Sequence, residues 1–220
     1  MNFQDLHLNL LLIRHAQPVN PPNHWTAPSS PLSDQGINQA KQLAQDLEQQ
    51  VFDKIISSPF LRTMETAEYI QRRLINKTPV ERQEWLAEID LGNWAGKNKS
   101  EITSDPSYPK FFPKDKAVFQ EPLVGRLMNT NKVFTFPDGE SLESFWNRVQ
   151  TGFINLMAKF RNHGKQTIGL VGHGGSFSVI TSILLGKTFT DNIFPIIAIK
   201  MANYAHIRIY KGRVIFVKLN

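Results

Sequence analysis

The chain contains no cysteine, which excludes disulfide staples, thiolate metal sites and a cysteine nucleophile. No apolar run approaches the roughly 18 residues needed to span a bilayer, so no membrane partner is expected. Runs of five or more like charges, internal repeats and low-complexity tracts are also missing. So are several motifs that carry chemistry. There is no Gly-x-x-x-x-Gly-Lys-Ser/Thr phosphate loop, no Gly-x-Gly-x-x-Gly fingerprint and no His-Glu-x-x-His helix. Gly172-His173-Gly174-Gly175 superficially matches a lipase oxyanion segment, but no Gly-x-Ser-x-Gly elbow accompanies it.

What is present fits one globular unit. The chain has 220 residues, 41% of them hydrophobic and 20% charged, near globular averages and long enough for one sizeable core. A single domain over 1–220 is expected. The opening Met1-Asn2-Phe3-Gln4-Asp5 has no basic region, and the apolar stretch after it ends in Arg14 and His15. That reads as a first strand and not a signal peptide, so a cytoplasmic location is expected. Net charge is +6 and the pI is near 9.5. The positive residues are dispersed, although 97–132 holds seven Lys/Arg against four Asp/Glu, a local +3. Such a surface attracts anions generally. Only the pI favours nucleic acid, and no nucleic-acid partner is expected.

Apolar runs alternate with amphipathic stretches, the pattern of a layered α/β domain. Strands are expected at Leu8–Ile13, Lys54–Ser57, Thr167–Val171, Ile196–Ile199, Ala205–Tyr210 and Val214–Leu219, the last two joined by a Lys211-Gly212 turn. Helices are expected after Ser33, after Ser141 and from Gly175. Another should start with Ser58 as N-cap and Pro59 in its first turn. Between about 97 and 137 the regularity dissolves among prolines and phenylalanines, which suggests a lid-like insertion. If Val214–Leu219 lies at a sheet edge it offers a pairing surface, so a monomer or a homodimer is expected.

The chemistry concentrates at two strand ends. Arg14-His15 closes the first apolar run and His173 closes a later one. An arginine and two histidines at one sheet edge suit an oxyanion such as phosphate, and one imidazole is available to attack it. Arg62, early in a helix that follows a strand, fits a second clamp. Neighbouring cations should hold His15 in its neutral, attacking form. Glu88, in the apolar, glycine-punctuated stretch Leu86 to Gly96, is the candidate proton donor, with Glu84 and Asp90 as competing carboxylates. Gln17 and Asn20 are loop residues near the expected pocket. His7, His24, His163 and His206 show no ligand spacing and read as surface or satisfied core residues. A lone histidine or helix arginine is more often structural; the ordered set is what carries weight.

Taken together, these segments resemble the histidine phosphatase superfamily, also called phosphoglycerate-mutase-like. The resemblance rests on Arg14-His15-Ala16, Ser57-Ser58-Pro59-Phe60-Leu61-Arg62-Thr63, the Leu-x-Glu-x-x-x-Gly-x-Trp segment at 86–94 and Gly172-His173-Gly174-Gly175. The helix starts Pro31 to Gly36 and Gly139-Glu140-Ser141 are similar to that family too. The resemblance implies a three-layer α/β/α fold with a mixed, mostly parallel sheet, acting without cofactor or metal. It implies a phosphorylated nucleophile at His15 and a phosphate pocket of Arg14, Arg62 and His173, the last counted among the catalytic groups. Glu88 would then protonate the leaving alcohol and activate water. The expected partner is a small phosphorylated metabolite, and the expected activity is that of a phosphomonoesterase.

The chain also departs from the pattern. Ala16 stands where the family usually has glycine, Pro18 where Thr or Ser is common, and Pro21 where an asparagine is often found, with Asn20 beside it. Ala95 replaces the glutamate of a common Trp-Glu-Gly, and Ser178 replaces a frequent basic residue. None of these removes a catalytic role, but they bear on substrate contacts of the 17–25 loop. Two alternatives stand beside the phosphatase: a phosphoglycerate-type mutase and a catalytically weak phospho-ligand binding module. The stretch Ile89 to Trp94 lacks the Tyr-Gly-x-Leu-x-Gly-Leu-Asn-Lys pattern of the mutases, which favours the phosphatase.

Overall fold

In this computed structural model, residues 3–104, 132–191 and 199–218 are described. Six strands form one sheet in the order β3-β2-β4-β1-β5-β6. β1 (His7–Arg14) and β4 (Gln166–Gly172) lie parallel at its centre, and β2 (Lys54–Ser57) and β3 (Val80–Arg82) continue the parallel half. β5 (Tyr204–Tyr210) runs antiparallel to β1, and β6 (Arg213–Lys218) antiparallel to β5. The expected mixed, mostly parallel sheet is present.

The near-continuous apolar run of β1 reflects burial on both faces, as parallel central strands require. Leu8, Leu10 and Leu12 join one core with Phe145 and Phe153 of α4 (Leu142–Ala158) and Phe177 and Ile180 of α5 (Gly174–Leu184). Leu11 and Ile13 join the other with Leu43 and Ala44 of α1 (Asp34–Asp46) and Ala67 and Ile70 of α2 (Leu61–Arg73). The alternation of β1 therefore builds the three layers.

Helix starts follow local chemistry with one correction. Ser33 and Ser141 cap α1 and α4, accepting from Gly36 N and Ser144 N at 3.0 Å each. α2 does not start at Ser58-Pro59: its N-cap is Phe60, without a side-chain bond. The Ser58 hydroxyl lies 2.7 Å from His173 Nε2, so a long-range contact takes the group that local reasoning gave to the helix. β3 was not anticipated; three residues after Pro79 are too few to show alternation. The β5–β6 turn has positive φ at Lys211 (47°) and Gly212 (77°), the signature of a tight hairpin.

Most of the expected insertion over 97–137 and most of the expected strand at Ile196–Ile199 lie outside the described residues. The near flank of the insertion folds as a short helix, α3 (Lys99–Ser104). Among the described residues, no helix is long and apolar enough to cross a membrane.

Candidate active site

In the β1–β4 pairing Arg14 lies opposite Gly172. The next residue of each strand, His15 and His173, therefore emerges at the same carboxyl edge, where open α/β sheets bind ligands. The two rings are 5.1 Å apart. His15 N bonds Gly172 O at 3.1 Å, and Ala202 N bonds His15 O at 3.1 Å, so the loop before β5 buttresses the nucleophile candidate. Gly172 leaves room for this packing: a Cβ there would sit 3.0 Å from the Phe177 ring.

Arg62, on the first turn of α2, connects the two imidazoles. Its Nε donates to His15 Nε2 at 3.3 Å and its Nη2 to His173 Nδ1 at 3.4 Å, while Nη1 donates to Ala27 O at 3.0 Å. These partners assign the tautomers. His15 Nδ1–H donates to Ala16 O at 2.7 Å, leaving the Nε2 lone pair toward Arg62. His173 Nε2–H donates to Ser58 Oγ, leaving the Nδ1 lone pair toward Arg62. Burial first, then the nearby arginines, hold both imidazoles well below the usual histidine range. Burial also lowers Arg62 to about 10, against the attraction of Glu88. Burial and the arginines thus favour the neutral form of both imidazoles; for His15 this is the direction expected from the charge pattern.

Arg14 is buried and its Nη1 donates to Ile199 O at 2.9 Å. Glu88 also lines the cavity. Its Oε2 accepts from Gly175 N at 2.9 Å, in the first turn of α5, and its Oε1 from Ile89 N at 3.0 Å. Burial raises its pKa above the ordinary carboxylate value, and this outweighs the two backbone N–H bonds and the two arginines. Of the competing carboxylates, Glu84 pairs with Arg82 on the surface. Asp90 reaches the pocket but is exposed and accepts from Gly92 N at 2.9 Å. The structure thus separates Glu88 from both rivals by burial and position.

These groups share a cavity of about 380 Å³, within the range of small-molecule sites. Arg14, His15, Gln17, Asn20, Arg62, Glu88 and His173 all line it. Gln17 is half-buried, its Oε1 accepting from Ser33 Oγ at 3.2 Å. Asn20 lies at the exposed rim, its Nδ2 donating to His24 O at 3.0 Å. Among the described residues, no group of three or more His, Asp or Glu side chains is arranged to hold a metal ion.

Ser58, His24 and Lys99 are among the lining or supporting residues that escaped sequence reasoning. Ser58 carries no signal beyond its helix-start position. His24, read as a surface or core residue, instead lines the pocket. It does so because 23–25 pairs with 97–99: Trp25 N bonds Lys97 O at 2.9 Å and Lys99 N bonds Asn23 O at 2.7 Å. The same pairing brings Lys99 to the cavity, its Nζ 4.9 Å from the centre of the Trp25 ring. The other histidines fit the expectation. His206 Nε2 lies 3.1 Å from Asn9 Oδ1, His7 packs on Tyr210, and His163 on Phe160.

A mixed sheet between two helical layers, with two buried imidazoles and two arginines at its carboxyl edge, makes a phosphoglycerate-mutase-like fold. The chain belongs to the histidine phosphatase superfamily (branch 1), whose family model matches residues 10–220. It is 33% identical to phosphoserine phosphatase 1 of Hydrogenobacter thermophilus (strain DSM 6534 / IAM 12695 / TK-6), over 97% of this chain and 92% of that one. Two solved structures share the fold. A mycobacterial glucosyl-3-phosphoglycerate phosphatase superposes with a TM-score of 0.74 at 20% identity, covering 98% of this chain and 99% of that one. The α-ribazole phosphatase of Shigella flexneri gives 0.71 at 22% identity, covering 96% of each. Family and phosphatase relatives together make this chain an enzyme of the phosphomonoesterase class.

Proposed function

We propose that the enzyme transfers the phosphoryl group of a small phosphomonoester first to His15 and then to water, with no metal or organic cofactor. One observation carries this reading: the His15 Nε2 lone pair faces the arginine-lined cavity, its other nitrogen being tied to Ala16 O. A neutral nucleophile in a cationic pocket is what attack on a dianionic ester requires.

In the first step Nε2 bonds to phosphorus as the ester P–O bond breaks, and Glu88 gives its proton to the departing oxygen. In the second step the Glu88 carboxylate takes a proton from water, the water oxygen bonds to phosphorus, and the N–P bond breaks. Inorganic phosphate leaves and Glu88 is again protonated. Arg14 and Arg62 hold the phosphoryl oxygens. His173 joins them by exchanging tautomers: Nε2 loses its proton to water and Nδ1 gains one from water, the Ser58 hydroxyl turns to donate to Nε2, and Nδ1–H then points to the phosphate.

Gln17 and Asn20 line the way to the phosphate pocket and are proposed to contact the rest of the ester. Phosphoserine is the first substrate to test, because the 33% identical relative is a phosphoserine phosphatase. The cavity lining is compatible with that choice, since it carries a carboxylate, Asp90, and an ammonium group, Lys99. The test is phosphate release from phosphoserine and a panel of other phosphomonoesters with EDTA present. Activity that persists with chelator and is lost in His15→Ala is expected. Activity that survives His15→Ala, or silence across the panel from folded protein, would overturn the proposal.

A further inference from the structure

The Gly139-Glu140-Ser141 motif does more than start a helix. Glu140 sits just before the N-cap of α4, and Arg148 lies on the helix two turns further on. The Arg148 guanidinium faces the back of the loop that carries Glu88. Its Nη1 donates to the carbonyls of Glu84 (3.2 Å), Trp85 (3.0 Å) and Ala87 (3.2 Å), and its Nη2 to that of Glu88 (3.3 Å). Its remaining edge is held bidentately by Glu140, with Nε–Oε1 at 2.8 Å and Nη2–Oε2 at 2.7 Å.

Glu140 grips the loop on the far side of Glu88. Its Oε2 accepts from Asp90 N at 3.1 Å, and its own N donates to Asp90 O at 3.0 Å. The pair therefore brackets residue 88 from both directions along the chain. Arg148 is further fixed by stacking 5.2 Å from the centre of the Phe145 ring. The same helix also meets the loop at Gly152, where a Cβ would sit 2.1 Å from Trp85 Cγ. Neither Arg148 nor Glu140 lines the cavity. Only a planar fork with five N–H donors serves four carbonyls and a carboxylate at once.

We infer that Arg148 and Glu140 are positioning residues that hold the Glu88 carboxyl against the ester oxygen. The inference rests on Glu88 being the proton donor of the proposed reaction. A misplacement of about 1 Å in a catalytic group can cost on the order of 100-fold in rate. The loss must fall on esters whose leaving oxygen needs a proton.

The experiment compares kcat/KM for glycerol phosphate, an alkyl ester, with that for p-nitrophenyl phosphate, whose phenolate departs unprotonated. Arg148→Met should lose about 10- to 100-fold on the alkyl ester and less than about threefold on the aryl ester. Arg148→Lys should recover part of the loss, and Glu140→Gln should show the same selectivity at smaller size. Equal losses on both esters, or none, in a variant with native circular dichroism would overturn the inference. If Arg148→Met does not fold, Glu140→Gln decides by the same two outcomes. Glu88→Gln run alongside separates the levels. Its own selective loss upholds the proton donor, and an unselective Glu88→Gln would remove that role and the inference with it.

Discussion

Ser58 Oγ lies 2.7 Å from His173 Nε2, joining the end of β2 to the end of β4 beneath the pocket. A hydroxyl both donates and accepts, so this contact serves either tautomer of His173. Ser58→Ala leaves a fully buried imidazole nitrogen without its partner, at a cost of about 1–3 kcal/mol. Urea unfolding should report that loss. Phosphatase kcat/KM should fall by about 5- to 30-fold, the equivalent of about 1–2 kcal/mol. Unchanged kinetics would exclude the tautomer exchange.

The pH profile should be asymmetric. Burial holds His15 well below its ordinary value, so the proposed nucleophile is neutral from well below pH 6.5 upward. Burial raises Glu88, so the proposed proton donor is charged, and therefore lost, only as pH rises through its elevated value. For an alkyl ester, kcat/KM should decline on the alkaline side, and Glu88→Gln should abolish that limb. The ester's own second ionisation, near 6, is common to both enzymes and cancels in the comparison. An alkaline limb that persists in Glu88→Gln would assign it to another group.

The same shifts predict a stability trend of definite sign. Unfolded histidines take up protons below about pH 6.5, whereas folded His15 and His173 do so only at much lower pH. The unfolded state then binds more protons, so stability present above about pH 6.5 is lost as pH falls toward the depressed folded values. Denaturant midpoints should drop between about pH 7 and pH 5, less steeply in His173→Asn. An equal drop in both proteins would refute this assignment.

The loop over the pocket depends on Gly36. A Cβ there would come within 2.0 Å of Gln17 O, which accepts from Ser33 N at 3.0 Å. Backbone cannot give way as a side-chain tip can. Gly36→Ala should destabilise by about 1–3 kcal/mol, the usual cost of overpacking, and should raise KM as Gln17 shifts. Native KM in this variant would show that Gln17 does not contact substrate.

How legible was this site in the sequence? β1, β2, β4 and the helices after Ser33 and Ser141 were readable, because double-sided burial and amphipathic spacing leave periodic marks. Arg14, His15 and His173 converge because two parallel strands end in register, and a strand end is visible in sequence. Ser58 was misread as a helix cap, since its real partner is 115 residues away. His24 and Lys99 were missed because the pairing of 23–25 with 97–99 has no periodic signature. Arg148 gives no signal in the sequence, because composition does not reveal the carbonyls that it binds.

The proposed preference for phosphoserine is tested at Asp90 and Lys99, which line the cavity. Lys99→Met should raise KM for phosphoserine more than for phosphoethanolamine, which lacks the carboxylate. Asp90→Asn should weaken both relative to glycerol phosphate, which has no ammonium group. Equal effects across the three esters would remove phosphoserine from first place.

The central claim is a phosphoryl group carried on His15. Glu88→Gln mixed with p-nitrophenyl phosphate should form the intermediate readily, because its leaving group needs no proton. It should break down slowly for want of a base. Mass spectrometry of the alkali-quenched, digested protein should then find phosphate on the His15 peptide. Nitrophenol release with no phosphorylated residue, or phosphate on a different side chain, would contradict the account.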